Sequence, residues 1–326
     1  MSKNTSITKI QSASSVLLLA SQNPDVLASL LADKRSPNTR NAYAKDLRDF
    51  FRFAADVDEP TPELVTQFLQ LERSNGVALV LRYKAHLLNE RGLKEATVNR
   101  RLAAIKALVN FARKLGKCDY TLEDIKGEKV VPYRDTTGIS HLSYRLMLSV
   151  PKPNELKGKR DYAILRLLWD NALRRSEVSL ANIKDLDPDR RVLQILGKGR
   201  GSQKTAVTLS QPTILAVLDW LQARKEKDIK QPLFIALDRA SYGHRLTGTA
   251  IYKLVEKIAI EAGITKKLSP HRIRHSGITA ALEATGGDVR KVQKLSRHVN
   301  LNTLMIYDDN RQDLQGEISD LLADLV

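Results

Sequence analysis

The chain has 326 residues, of which 42% are hydrophobic, so it is long enough and apolar enough for two domains with buried cores. Its 53 lysines and arginines outnumber its 37 aspartates and glutamates, and a formal net charge of +16 favours a polyanionic partner. The single cysteine, Cys118, excludes a disulfide within the chain and is typical of the cytoplasm, and without a long apolar run we expect no membrane partner.

Acidic residues are concentrated at the end of the chain. Between residues 308 and 326 six of them stand against one arginine, so a basic body is followed by an acidic tail. The body favours nucleic acid as its partner, whereas the tail favours contact with protein. Charge alone leaves DNA, RNA and an anionic membrane open for the body.

The first part of the chain predicts a helical domain. A serine and a threonine that each precede a proline, Ser36 and Thr61, mark the starts of two helices. Apolar residues at helical spacing predict two more helices, over 77–90 and from 97 to about 114. The sequence therefore predicts a four-helix domain over residues 25–116.

Basic residues lie beside the apolar stripes of these predicted helices. They could be ordinary solvated side chains, or they could contact DNA grooves and phosphates. We take the following as weak DNA-binding candidates: Arg40, Arg48, Arg100, Arg101 and Lys106.

Two segments are weakly patterned. Residues 1–24 are polar and rich in serine, so we expect them to be flexible. Residues 117–140 contain glycines and a proline, and they read as a linker between two domains, or alternatively as a surface loop.

Residues 141–326 predict a second, mostly helical domain with a small sheet. The run 191–196 is strand-like, a GKGRGS turn follows, and 204–209 returns, which predicts a hairpin with Lys198 at its tip. Further helices are expected near 211–224, 247–262, 270–284, 288–296 and 311–325. In the helix at 311–325, leucines and an isoleucine share one face and acids the other, so the apolar face must be buried somewhere.

The second domain also carries a set of residues suited to phosphodiester chemistry without a metal. Fixed cations stabilise the charge that builds up on the nonbridging oxygens, and the planar fork of arginine binds such oxygens in pairs. A lysine or histidine can give the leaving oxygen its proton, and a tyrosine can act as nucleophile. Candidates for these tasks occur in this order: Arg174, Lys198, His271, Arg274, His298 and Tyr307.

The same residues allow other interpretations. His271 and His275 have the spacing of metal ligands on a helix, with His298 as a third, but the glutamate of a hydrolytic zinc motif is missing. The glycines around Lys198 could suggest a phosphate-binding loop, but their spacing does not match the nucleotide-binding pattern. The sequence therefore predicts neither a metal nor a nucleotide cofactor.

The ordered set resembles the tyrosine recombinase family, which includes phage integrases and Xer-type resolvases. ALRRSE resembles the first arginine box of the family, and SPHRIRH, SRH and the MIYD tyrosine resemble its second box. SPNTRNAYAKDLRDFFRF is similar to the opening helix of its core-binding domain. The resemblance implies a mainly α fold with a small β-sheet, in which a SAM-like helical domain precedes an α+β catalytic domain.

The resemblance also implies a role for each residue. Arg174 and Arg274 would clamp the scissile phosphate, and Lys198 would protonate the 5′ leaving oxygen. Tyr307 would form a 3′-phosphotyrosyl bond. The remaining roles are proton transfer by His271, a hydrogen bond from His298 to a nonbridging oxygen, and a supporting contact from Glu177.

The sequence departs from the family pattern at two positions. Arg297 stands where a small residue usually precedes the second histidine, and we expect it either to touch a phosphate or to be solvated. Arg175 follows the first arginine, where an apolar residue is commoner. Arg200 and Lys204 lie on the same predicted hairpin as Lys198, which makes them additional weak DNA-binding candidates.

The expected activity is cleavage and rejoining of double-stranded DNA at a specific site, by a homotetramer that holds two DNA sites and passes through a Holliday junction. The helix at 311–325 would dock on its own domain or on a neighbouring subunit. Three alternatives stay open: a DNA-relaxing enzyme of the type IB topoisomerase class, a catalytically silent DNA-binding protein and a metal nuclease.

Overall fold

The computed structural model describes residues 25–130, 138–197, 203–302, 304–305 and 314–325. The chain divides into two compact units, Met1–Pro132 and Tyr133–Val326. Across the ranges just given, no helix combines the length and the apolar character that a membrane crossing requires.

The first unit contains a helix that the sequence pattern did not reveal. In chain order the described helices are α1 (Val26–Asp33), α2 (Pro37–Ala55), α3 (Pro62–Leu69), α4 (Arg73–Ala85), a π-helical turn (His86–Glu90) and α5 (Glu95–Lys114). The prediction of four helices was therefore wrong by one, because α1 has only eight residues and no proline at its start. The Asp25 side chain caps it by accepting a hydrogen bond from Ala28 N.

The two helix starts predicted from a cap and a proline are confirmed. The Ser36 hydroxyl accepts from the backbone N–H of Thr39, and the Thr61 hydroxyl accepts from that of Leu64. These bonds satisfy donors that have no partner inside the first turn of a helix. The helix predicted over 77–90 instead begins at Arg73.

Part of the predicted linker is packed into the core of the first unit. Cys118, Tyr120, Leu122 and Ile125 are buried with the apolar faces of the helices. The Tyr120 hydroxyl donates to the carbonyl of Phe68 at 2.8 Å, which ties this segment to α3. The interpretation of 117–140 as linker throughout is thus wrong for its first part, since polar residues between the buried ones masked their spacing.

The second unit is mostly helical around a small antiparallel sheet. Its described helices are α6 (His141–Ser149), α7 (Leu156–Asp170), α8 (Arg175–Leu180), α9 (Gln211–Arg224), α10 (Gly248–Glu261), α11 (Pro270–Ala284), α12 (Val289–Ser296) and α13 (Leu314–Ala323), with a 3₁₀ turn at Ile183–Asp185. The strands β1 (Leu186–Asp187), β2 (Val192–Leu196) and β3 (Lys204–Thr208) lie in the order β1-β2-β3. The predicted hairpin is confirmed, with Leu196 paired to Lys204 at its described end.

Two apolar clusters fix the elements around α7. The larger one surrounds the buried helix α7 and includes Trp220 of α9 and Leu193 of β2. A smaller one joins Ala172, just after α7, to Ile278 of α11 and to α12. The turn that follows α7 is therefore held between α11 and α12, close to Arg174, Arg274 and His298.

The tail helix α13 has an exposed apolar face. The side chains of Ile318, Leu321, Leu322 and Leu325 are all more than half exposed. The predicted stripe is therefore present, and within the described part of this chain these four side chains are not covered.

Candidate active site

Arg174 lies in a tight turn between α7 and α8. Ala172 has a positive φ of 45°, and the Asn171 side chain donates to the carbonyl of Thr208 at 2.8 Å, which anchors the turn to β3. Arg174 then caps α8, and its backbone N–H donates to Glu177 Oε2 at 2.8 Å. Its guanidinium Nη1 donates to Glu177 Oε1 at 2.7 Å. The buried Glu177 thereby fixes both the backbone and the side chain of Arg174.

Arg274 is buried on α11 and is held by carbonyl groups. Its Nη1 donates to the carbonyl of Ala172 and its Nη2 donates to that of Ser296. Gly277, one turn further along, lets α11 approach the end of α7, because a Cβ there would stand 2.9 Å from the carbonyl oxygen of Trp169. Burying a guanidinium group costs free energy unless its N–H donors are hydrogen-bonded, and the carbonyls of Ala172 and Ser296 accept from Arg274.

The three predicted histidines lie on or beside the same elements. His298 Nε2 is 3.5 Å from Arg274 Nη2, so His298 and Arg274 share one end of the site. On α11, Nε2 of the exposed His271 and Nε2 of the buried His275 are 2.7 Å apart. In the portion of the chain that is described, no group of three or more metal-binding side chains forms, so these histidines do not assemble as the metal site considered above.

Arg297 was predicted to touch a phosphate or to be solvated, and this prediction was wrong, because its side chain is largely buried and bonded within the chain. It ends α12 with a positive φ of 57°, and its side chain is only 11% exposed. Its Nη2 donates to Glu177 Oε2 at 3.2 Å and to the carbonyl of Ala172 at 3.0 Å. Burial lowers the pKa of Arg297, the Glu177 charge opposes that shift, and the Arg174 charge adds to it.

Two arginines thus pair with Glu177, and a third, Arg274, shares the Ala172 carbonyl with one of them. We call this group, Arg174, Arg274, Arg297 and Glu177, the Glu177 cluster. Glu177 pairs with two of the arginines, and Arg274 donates to two backbone carbonyls. The guanidinium groups are thus held in a fixed arrangement, which suits them to bind a phosphate whose negative charge increases during reaction.

Several predicted site residues fall elsewhere. Lys198, Arg200 and Tyr307 lie outside the described residues. Lys204, at the loop end of the hairpin, forms an ion pair with the buried Asp185, which fixes the described end of β3.

The DNA-binding candidates of the first unit all have partners within the chain. Arg101 is buried and paired with Asp49, so its expected contact with DNA is corrected. The others keep part of their surface exposed, and DNA contact remains a proposal for them. Their partners are the carbonyl of Lys34 for Arg40, Glu59 for Arg48, Asp46 for Arg100 and the carbonyl of Ile125 for Lys106.

Known proteins match both parts of the chain. Residues 141–313 match the Phage integrase family, and residues 27–116 match the Phage integrase, N-terminal SAM-like domain. A tyrosine recombinase of Synechocystis sp. is 56% identical over 308 residues, covering 94% of this chain and 97% of that protein. One of Synechococcus elongatus is 54% identical over 305 residues, covering 94% and 95%.

Among solved structures, the XerH site-specific recombinase bound to palindromic difH substrate, a post-cleavage complex, has the same fold. It aligns with a TM-score of 0.63 and 22% identity, over 87% of this chain and 80% of that one.

Proposed function

The chain belongs to the phage integrase family of tyrosine recombinases, and from this premise we propose that it cleaves and rejoins DNA at a specific site through Tyr307. The Tyr307 oxygen would attack the scissile phosphorus and form a 3′-phosphotyrosyl bond while the bond to the 5′ oxygen breaks. His271 would take the proton of the Tyr307 hydroxyl, and Lys198 would give the 5′ oxygen its proton. A 5′ hydroxyl of the partner strand would reverse the step, so the reaction needs no nucleotide cofactor.

The observation that carries this proposal is the fixed arrangement of the Glu177 cluster. Arg174 and Arg274 belong to distant parts of the sequence, yet both are fixed around the turn at Ala172, with His298 beside Arg274. Guanidinium groups fixed in this way can bind the nonbridging oxygens of a phosphate in pairs. In this scheme preorganised cations stabilise the transition state and no metal ion takes part.

The covalent intermediate tests the proposal. The protein is mixed with a pool of nicked DNA duplexes of randomised sequence, in which the short fragment beyond the nick diffuses away after cleavage and traps the intermediate. DNA that stays bound in SDS is recovered and sequenced, which also identifies the site. We expect an adduct in the presence of EDTA, none with Tyr307→Phe, and a normal yield with Tyr242→Phe, since Tyr242 is an exposed tyrosine of the same unit.

An adduct in Tyr307→Phe, or a requirement for divalent metal, would contradict the proposal. Once the site is known, two duplexes that carry it separate recombination from simple relaxation. A recombinase produces Holliday junctions and exchanged products from the pair, whereas a relaxing enzyme of the type IB class changes only the supercoiling of a single plasmid.

We also propose that α13 docks on a neighbouring copy in a tetramer that holds two DNA sites. The support is its exposed apolar face, which gains free energy by being covered. Changing Leu321 and Leu322 together to Asp should abolish assembly on paired sites while leaving single-site binding intact. Asp320→Asn, on the same helix, is the matched control, and unchanged assembly in the double variant would reject the docking.

A further inference from the structure

The residue before the second histidine, Arg297, occupies a backbone conformation that favours glycine. It is the C-cap of α12, with φ 57° and ψ 34°. A side chain with a Cβ is strained there, whereas glycine is not. If Arg297 only ended the helix, glycine would therefore perform that task better.

The Arg297 side chain instead joins two turns of the site. Its Nη1 donates to the carbonyls of Asn171 at 3.1 Å and Leu295 at 2.6 Å. Its Nη2 donates to the carbonyl of Ala172 and to Glu177. One guanidinium thus connects the turn before Arg174 with the end of α12, which leads directly into His298.

Two of these contacts are shared with residues that would bind the phosphate. The Ala172 carbonyl accepts from both Arg297 and Arg274, so it fixes two guanidinium groups at once. Glu177 Oε2 accepts from Arg297 while Oε1 accepts from Arg174. Without Arg297, the Glu177 charge would act on Arg174 alone, and the net positive charge of the cluster would fall by one.

We propose that Arg297 is a positioning residue of the cleavage reaction. It orients the Ala172 turn and Glu177 relative to His298, and it takes part of the Glu177 charge so that Arg174 is less neutralised toward the scissile phosphate. The inference rests on the proposed function, because it assigns a role within the same site.

The test compares Arg297→Gly with a matched control, Lys225→Gly. Lys225 is the C-cap of α9, also has a positive φ of 58°, and is exposed. Both substitutions relieve the same kind of backbone strain, but only the first removes contacts in the site. The substrate is a nicked duplex of the site recovered from the randomised pool, used at saturating concentration in single-turnover cleavage, with affinity and the thermal unfolding midpoint measured in parallel.

We expect Arg297→Gly to cleave about 100-fold more slowly than the wild type, the loss that a small misplacement of a catalytic group can cause. Its DNA affinity should stay within about threefold of the wild-type value, because nonspecific phosphate contacts elsewhere supply most of it. Lys225→Gly should cleave at the wild-type rate. Wild-type cleavage by Arg297→Gly would overturn the inference.

A methylphosphonate at the scissile position separates a role in cleavage from a purely structural one. Because that group lacks one negative oxygen, it depends less on the charge of the cluster, so the gap between Arg297→Gly and the wild type should shrink. An equal gap on both substrates would overturn the charge-sharing role.

Arg297→Lys tests the inference even if Arg297→Gly fails to fold. It keeps the charge but cannot bond to the carbonyls and Glu177 together, so we expect an intermediate rate, and wild-type cleavage by it would also overturn the inference. If the wild type itself forms no adduct, the proposed function fails. If the wild type cleaves and Arg297→Gly cleaves equally, only this inference fails.

Discussion

The two units of the molecule both hold a cluster of arginines, but they use it differently. In the first unit, Arg100 pairs with the buried Asp46, and Arg101 and Arg91 pair with Asp49. We call these five residues the Asp49 cluster. Each of the three guanidinium groups there pairs with one of two carboxylates, and these pairs join α2, α5 and the turn after α4.

In the second unit, the Glu177 cluster has one carboxylate for the same number of arginines. At Arg274 two backbone carbonyls accept from the guanidinium group. A carboxylate both orients a guanidinium and neutralises it, whereas a carbonyl orients it and leaves its charge. Both clusters contain three arginines. What distinguishes the structural cluster from the one suited to bind a phosphate is whether backbone carbonyls, besides carboxylates, accept the hydrogen bonds of those arginines.

The largest effect that would sharpen this comparison is expected at Arg174. Arg174→Ala should slow covalent complex formation by about 100- to 1000-fold, because a preorganised charge facing the transition state is lost. The rate is measured in single turnover on the nicked substrate at saturating DNA.

Its neighbour Arg175, which is exposed, supplies the control. Arg175→Ala removes the same charge one residue away. It should cleave within about threefold of the wild type, because substitution of an exposed side chain outside the Glu177 cluster has little effect. Equal losses in both variants would mean that general positive charge, rather than the geometry of the Glu177 cluster, determines the rate.

The features of the fold and the site that could be predicted from the sequence are those whose sequence patterns span only a few residues. The starts of α2 and α3 follow from a cap and a proline within four residues, and the hairpin follows from alternation around glycines. The order of Arg174, Arg274 and His298 indicated the site, and the structure places these three around one turn. Their roles, together with those of Lys198 and Tyr307, remain proposals.

The sequence did not reveal that Arg101 and Arg297 are largely buried, because their partners lie far away in the chain. Arg101 finds Asp49 across 52 residues, and Arg297 finds Glu177 across 120. No helical periodicity carries information about such distances, so both residues looked solvated. A signal for Arg297 did exist, since a bulky residue replaces a small one at a helix end, but its partner could not be inferred.

The second prediction concerns the stability of the Asp49 cluster. Arg101→Met removes a buried donor and leaves Asp49 with Arg91 and Tyr83, so we expect the first unit to lose about 2 kcal/mol of unfolding free energy. Cleavage per folded molecule should not change. Both tryptophans, Trp169 and Trp220, lie in the second unit, so the first unit is followed by hydrogen exchange in α5.

Arg52→Met is the matched control, because Arg52 pairs with an exposed Asp58 in the same unit. An exposed pair contributes about 0–1 kcal/mol, so its loss should be small. If Arg101→Met weakened DNA binding without lowering stability, Arg101 would be a DNA contact after all, and the distinction between the two clusters would fail.

The smallest expected effect is the dependence of stability on pH. The pKa of one aspartate is lowered in the first unit and that of another is raised in the second, so the effect has opposite signs in the two units. Burial tends to raise the pKa of Asp49, but hydrogen bonds from Tyr83 and Arg91 and the charge of Arg101 outweigh it, so the pKa is lowered. In the second unit, burial raises the pKa of Asp161 more than its partner Arg160 lowers it.

A depressed folded-state pKa means that the stabilisation from Asp49 is fully present above the unfolded-state value of about 3.9 and is lost as pH falls through the folded-state value. A raised pKa has the opposite consequence. Between the unfolded-state and folded-state values of Asp161, the folded protein binds more protons, so acidification through that interval stabilises the second unit.

We therefore expect Asp49→Asn to flatten the acid-induced loss of protection in α5, and Asp161→Asn to remove a gain in the urea midpoint followed by tryptophan fluorescence. Each variant serves as the control for the other, because each probe reports on one unit. The same pH slope in Asp49→Asn and the wild type would mean that Asp49 does not hold its charge through the arginines around it. The contrast between a cluster in which every arginine pairs with a carboxylate and one held partly by carbonyls would then lose its electrostatic basis in the first unit.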